Sequence, residues 1–60
     1  MTTRELKKLL KDDGWYEVNQ KGSHIQYEHQ IKKGKVTLPD HSGDIPKGTL
    51  NSVLKQAGLK

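Results

Sequence analysis

The sequence predicts an α+β fold in the order α-β-β-β-α, a three-stranded antiparallel sheet with two helices on one face. Three observations lead there. A capping box opens a leucine stripe at helical spacing near the start of the chain. Short segments of alternating or β-branched character fill residues 15–38, and a second helical stripe occupies residues 50–57. The connections between the middle segments are too short for the crossovers that parallel strands need, so the strands form a meander.

Thr2-Thr3-Arg4-Glu5 places a threonine at the N-cap and a glutamate three residues on, able to answer the N-cap amide. Leu6, Leu9 and Leu10 follow as one apolar stripe with Lys7, Lys8 and Lys11 off it, and Gly14 suits the end of a helix over about residues 3–13. Trp15-Tyr16-Glu17-Val18-Asn19 is rich in strand formers, and Gln20-Lys21-Gly22-Ser23 reads as the turn after it. The second strand runs from His24 to His29. Alternation puts His24, Gln26 and Glu28 on one face and Ile25 and Tyr27 on the other. Residues 30–34 connect to a third strand, Lys35-Val36-Thr37-Leu38, which Pro39 stops. The segment from Pro39 to Asp44 is dense in turn formers. Pro46 fits the first position of the second helix, whose stripe is Leu50, Val53, Leu54 and Ala57. Gly58-Leu59 has the form of a Schellman ending, with Leu59 folding back toward Leu54. The helices are expected to bury Val18 or Tyr16 together with Trp15, Ile25, Tyr27, Val36 and Leu38, leaving the His24 face open. This is also the element order of the double-stranded-RNA-binding fold, an analogy of fold that carries no function by itself.

A chain of 60 residues makes one domain, residues 1–60, with a core drawn from an apolar set of 30% that holds one Trp, two Tyr and no Phe. Without cysteine there are neither disulfides nor thiolate metal sites, and the composition fits a reducing compartment. No stretch approaches the roughly 18 apolar residues of a membrane span, and no apolar signal core opens the chain. A soluble cytoplasmic protein with no membrane contact is expected. Eleven Lys and Arg against seven Asp and Glu give a net charge of +4, which favours a polyanionic partner, although solubility alone accounts for it equally well.

His24 is the one side chain around the glycine turn able to exchange a proton near neutral pH. RNA carries its own nucleophile, the 2′-hydroxyl, so its cleavage needs a base for that proton, stabilisation of charge building on phosphorus, and an aligned backbone. One imidazole with neighbouring lysines supplies this chemistry. Gly22 can take a positive φ and let a phosphate approach, and Ser23 offers a hydroxyl or amide. Lys21, Lys32, Lys33, Lys35 and Lys47 lie around the open face and the start of the second helix, where each is either a phosphate contact or merely solvated. His41, just before that helix, is an accessory phosphate contact or second acid, or else fixes its loop by a hydrogen bond. His29 lies five residues from His24, on the opposite face of a regular strand, and cannot share a role with it. Zinc needs three or four converging ligands, so neither metal nor cofactor is expected.

Several motifs in series carry a resemblance: Gly14-Trp15, Lys21-Gly22-Ser23-His24 with Tyr27, Pro39-Asp40-His41, and Lys47-Gly48-Thr49-Leu50 leading to Ala57-Gly58. Together they resemble the HicA toxins over nearly the whole chain. The resemblance implies a double-stranded-RNA-binding-like fold used as an endoribonuclease that cleaves mRNA and arrests translation. It also implies a HicB antitoxin encoded beside the toxin, and a free monomer that becomes hetero-oligomeric when neutralised. By position His24 matches the histidine of the family's Gly-Ser-His motif and inherits its catalytic role, and Gly22 and Ser23 match the turn that presents it. The RNA contacts expected around it are Lys21, Gly22, Ser23, Lys35, His41 and Lys47. The competing expectations are a non-catalytic module that grips duplex RNA and a purely protein-binding domain.

Overall fold

In a computed structural model, residues 1–40 and 42–60 are described. Helix α1 spans Thr3–Asp12 and starts at the expected capping box. The Thr2 hydroxyl accepts from the Glu5 amide at 3.2 Å, while the Glu5 carboxylate accepts from the Thr2 amide at 2.8 Å. A cap of this kind contributes about 1 kcal/mol. The bond from the Thr2 backbone also holds the Glu5 carboxyl below the usual carboxylate range. Asp13 is the C-cap, and Gly14 leaves the helix at φ +102°, where a side chain would be strained.

Three strands follow: β1 (Trp15–Lys21), β2 (His24–His29) and β3 (Val36–Pro39), antiparallel and in the order β1-β2-β3. The turn between β1 and β2 is shorter than the sequence suggests, because Gln20 and Lys21 are strand residues and only Gly22 and Ser23 remain outside the ladder. Gly22 has φ +60° and Ser23 does not have positive φ, the pattern of a type II′ turn, whose twist matches that of a hairpin.

Trp15 decides which residues of β1 face the core. It is only 2% exposed at the first position of the strand, so its neighbour Tyr16 points the other way. A bulge between Glu17 and Asn19 then leaves Val18 as an extra residue without a direct partner. Tyr16 and Val18 are 46% and 44% exposed, and neither enters the core as the alternation had led one to expect.

The core lies between the sheet and the two helices. Leu6 and Leu10 of α1 meet Ile25, Tyr27, Val36 and Leu38 of the sheet, and Val53 and Ala57 close it from the second helix. Ile45, between the turn-rich segment and the second helix, is also buried, with its amide bonded to the Met1 carbonyl at 2.8 Å. Helix α2 spans Lys47–Gln56, with Pro46 as its N-cap rather than its first residue. It ends in a complete Schellman motif, Gly58 N–H to Lys55 O at 3.1 Å and Leu59 N–H to Leu54 O at 2.8 Å. Gln56 Oε1 accepts from the Thr37 amide at 3.0 Å, so a side chain occupies part of the outer edge of β3.

Behind the core a polar clamp joins the ends of both helices. Lys32 Nζ donates to Asp13 Oδ2 at 2.6 Å and to the Ala57 carbonyl at 3.0 Å. Lys32 is therefore a structural tie and not the phosphate contact its place among the lysines suggested. His29 stands beside it with Nε2 2.7 Å from the Asp13 carbonyl, while Nδ1 accepts the amides of Ile31 and Lys32 at 3.0 Å. Those two acceptances assign the proton to Nε2, which donates to Asp13. The hydrogen bond from Lys32 holds the Asp13 carboxyl below its ordinary range. A depressed carboxylate contributes stability that is present above its unfolded pKa and lost as pH falls through the folded value. The contribution of Asp13 to the unfolding midpoint is therefore expected to be constant above about pH 5 and to be lost below about pH 4, so that the midpoint declines less over that range in Asp13→Asn than in wild type. A midpoint of Asp13→Asn that falls as steeply as wild type removes Asp13 from this account.

Candidate active site on the open sheet face

His24 opens β2 immediately after the turn, and its side chain is exposed on the face that the helices leave uncovered. Its direct cross-strand partners are Lys21 of β1 and Pro39 of β3. Facing residues of antiparallel strands have Cα atoms about 4.5–5.5 Å apart, so the flexible Lys21 ammonium can reach a phosphate seated on His24. The turn is fixed on both sides. The Asp40 amide donates to the Ser23 carbonyl at 2.6 Å, and Gln20 Nε2 donates to the Gly22 carbonyl at 3.2 Å. The Ser23 hydroxyl makes no bond to a described residue. A Cβ added at Gly22 would meet nothing within 4 Å, so its absence serves the turn's φ rather than relieving a clash.

The other expected site residues are spread more widely. Lys35 lies opposite Glu28 and pairs with it, Nζ to Oε2 at 3.9 Å. It is four residues along β2 from the His24 position, about 13 Å away, so it belongs to the far end of the same face. Lys47 is exposed at the first position of α2, with no ion pair among the described residues, and Lys33 is exposed in the connection after β2. His41 lies outside the described residues. His29 is on the helix-covered face, edge-on to Trp15 with ring centroids 5.1 Å apart. Among the described residues no three His, Asp or Glu side chains converge as a metal site.

Concavities lie elsewhere, one between Lys7 and Lys11 of α1 and Trp15–Glu17 of β1, another in the connection from Glu28 to Lys35. His24 lines neither. It stands on an open sheet, which cannot enclose a small molecule as binding pockets do but accommodates an extended polymer. The row beside it, Asn19, Gln26 and Thr37, was not singled out from the sequence. The signal was present for Asn19 and Gln26, since a two-residue hairpin loop with glycine first sets the pairing next to it, but Thr37 joins them only through the separate pairing of β2 with β3.

A family model described as HicA toxin of bacterial toxin-antitoxin matches residues 3–59 of the chain. The chain belongs to the HicA toxin family. No curated protein was found to match it. As a HicA-type toxin it is one component of a toxin-antitoxin system, and an antitoxin partner is implied. The matched span includes both helices and the whole sheet of the HicA chain, and with them the Gly22-Ser23-His24 turn. Among the described residues no helix is long and apolar enough to cross a membrane.

Proposed function

We propose that this HicA toxin is a metal-independent endoribonuclease that cleaves mRNA and so arrests translation, and that a HicB-like antitoxin neutralises it by covering the open sheet face. His24 is the general base. It takes the proton of a ribose 2′-hydroxyl, the 2′-oxygen attacks phosphorus, and the bond from phosphorus to the 5′-oxygen breaks. The products are a 2′,3′-cyclic phosphate and a 5′-hydroxyl. Lys21 stabilises the charge that builds on phosphate oxygen, and Gly22 and Ser23 form the seat for that group. The leaving 5′-oxygen takes its proton from solvent, since both ring nitrogens of His29 are engaged on the far face. Lys35 and Lys47 hold phosphates further along the chain, and His41 is an accessory contact.

The observation that carries this proposal is the exposure of His24 beside Lys21 on an uncovered sheet, at the histidine of the family's Gly-Ser-His motif. One general base contributes about 10²- to 10⁴-fold, which makes a slow nuclease sufficient against long messages.

The test is cleavage of a single-stranded RNA by the purified protein in EDTA, with analysis of the product ends. Cyclic phosphate ends are expected, and placing a 2′-deoxynucleotide at a cut position should abolish that cut. A requirement for a divalent cation, or continued cutting at the deoxy position, overturns the mechanism. Duplex binding without any cleavage would favour the non-catalytic module instead.

A further inference from the structure

Direct cross-strand partners divide the open face into three rows. The first is Lys21, His24 and Pro39, and the second is Asn19, Gln26 and Thr37. The third is Tyr16 and Glu28, extended by Lys35 through its ion pair. Neighbouring rows are two residues apart along β2, about 6.8 Å, which is close to the step between nucleotides in an extended single strand.

The chemistry changes from row to row. The first holds the imidazole and a cation. The second contains only neutral hydrogen-bonding groups, two carboxamides and a hydroxyl, and none of these side chains bonds to a described residue. Phosphates would call for cations there. Carboxamides instead suit base edges, where they make bidentate pairs such as the one with N6 and N7 of adenine. The third row presents Tyr16, an aromatic ring 46% exposed on a sheet surface. Single-stranded RNA is recognised in these two ways, by hydrogen bonds to splayed base edges and by stacking on aromatic side chains.

We infer that the middle row, centred on Gln26, reads the base next to the scissile bond and that Tyr16 stacks the base beyond it. This rests on the proposal that RNA is cut over His24, and it assigns sequence preference to residues that take no part in the chemistry. The occupant is a single strand, because the bases of a duplex are paired with each other and a flat sheet meets only its backbone.

Binding to hexanucleotides of A, C or U, with 2′-fluoro groups replacing every 2′-hydroxyl, tests the inference without any cleavage. Wild type is expected to separate the best from the worst base by about 5- to 150-fold. Gln26→Ala should bring the three within about 2-fold of one another. Tyr16→Ala should weaken all three by about 5- to 150-fold while keeping their order. His24→Ala, read in the same assay, should keep the wild-type preference. No discrimination by wild type, or an unchanged preference in Gln26→Ala, overturns the inference whatever becomes of the catalytic assignment. Undiminished cleavage by His24→Ala would overturn that assignment and leave the base preference to be judged on the binding data.

Discussion

Replacing His24 with alanine is expected to lower RNA cleavage by about 10²- to 10⁴-fold, with a matching loss of growth arrest when the variant is expressed. The effect should be on chemistry alone. The His24 side chain is exposed and makes no hydrogen bond or ion pair among the described residues, so its removal should change stability by no more than about 0.5 kcal/mol. Added imidazole should restore part of the lost rate, since the deleted ring leaves an open surface position rather than a sealed cavity. Lys21→Ala should be the milder lesion, because it removes charge stabilisation from one side of the phosphate and leaves the base in place. If His24→Ala cleaves like wild type, the base lies elsewhere and the assignment of this site falls.

Trp15→Ala is expected to leave most of the protein unfolded at 25 °C. Truncating a buried Trp costs about 3–5 kcal/mol, and a core of this size supplies no more than about 3–5 kcal/mol in total. Trp15 is also tied in by more than its area. Its indole N–H donates to Asp13 Oδ2 at 3.1 Å, and its ring meets His29 edge to face. The same Asp13 oxygen accepts Lys32, so the cavity would open beside the clamp that joins the two helix ends. Trp15→Phe keeps the ring contact and loses the indole bond, a change of about 1 kcal/mol. Urea unfolding of the two variants separates these terms, and a loss below about 1 kcal/mol in Trp15→Ala would show that the core does not depend on this residue.

Local signals were legible where a single element contains the whole cause. The capping box of α1, the Schellman ending of α2 and the alternation of β2 each depend on residues a few positions apart, and each formed as the residue pattern indicated. The facing of β1 was not legible in the same way. It depends on Trp15 entering the core and on the bulge at Val18, both set by packing against α1 and β2. Lys32 is another such case, since nothing in a lysine-rich connection tells which lysine reaches Asp13 across the fold. At the candidate site, His24, Gly22 and Ser23 stand out from the sequence because they adjoin one another. The rows that surround them are contacts between strands, and they become visible only once the two-residue turn has set the register.

The proposed catalytic group, its cation and the turn between them occupy four consecutive positions, Lys21 to His24. Bringing them together therefore closes almost no loop, and hairpins of this kind form in about 1–10 μs. A toxin released from its antitoxin would not have to assemble distant parts of the proposed site before acting. Its delay would be governed by that release, not by the joining of the proposed base to its cation.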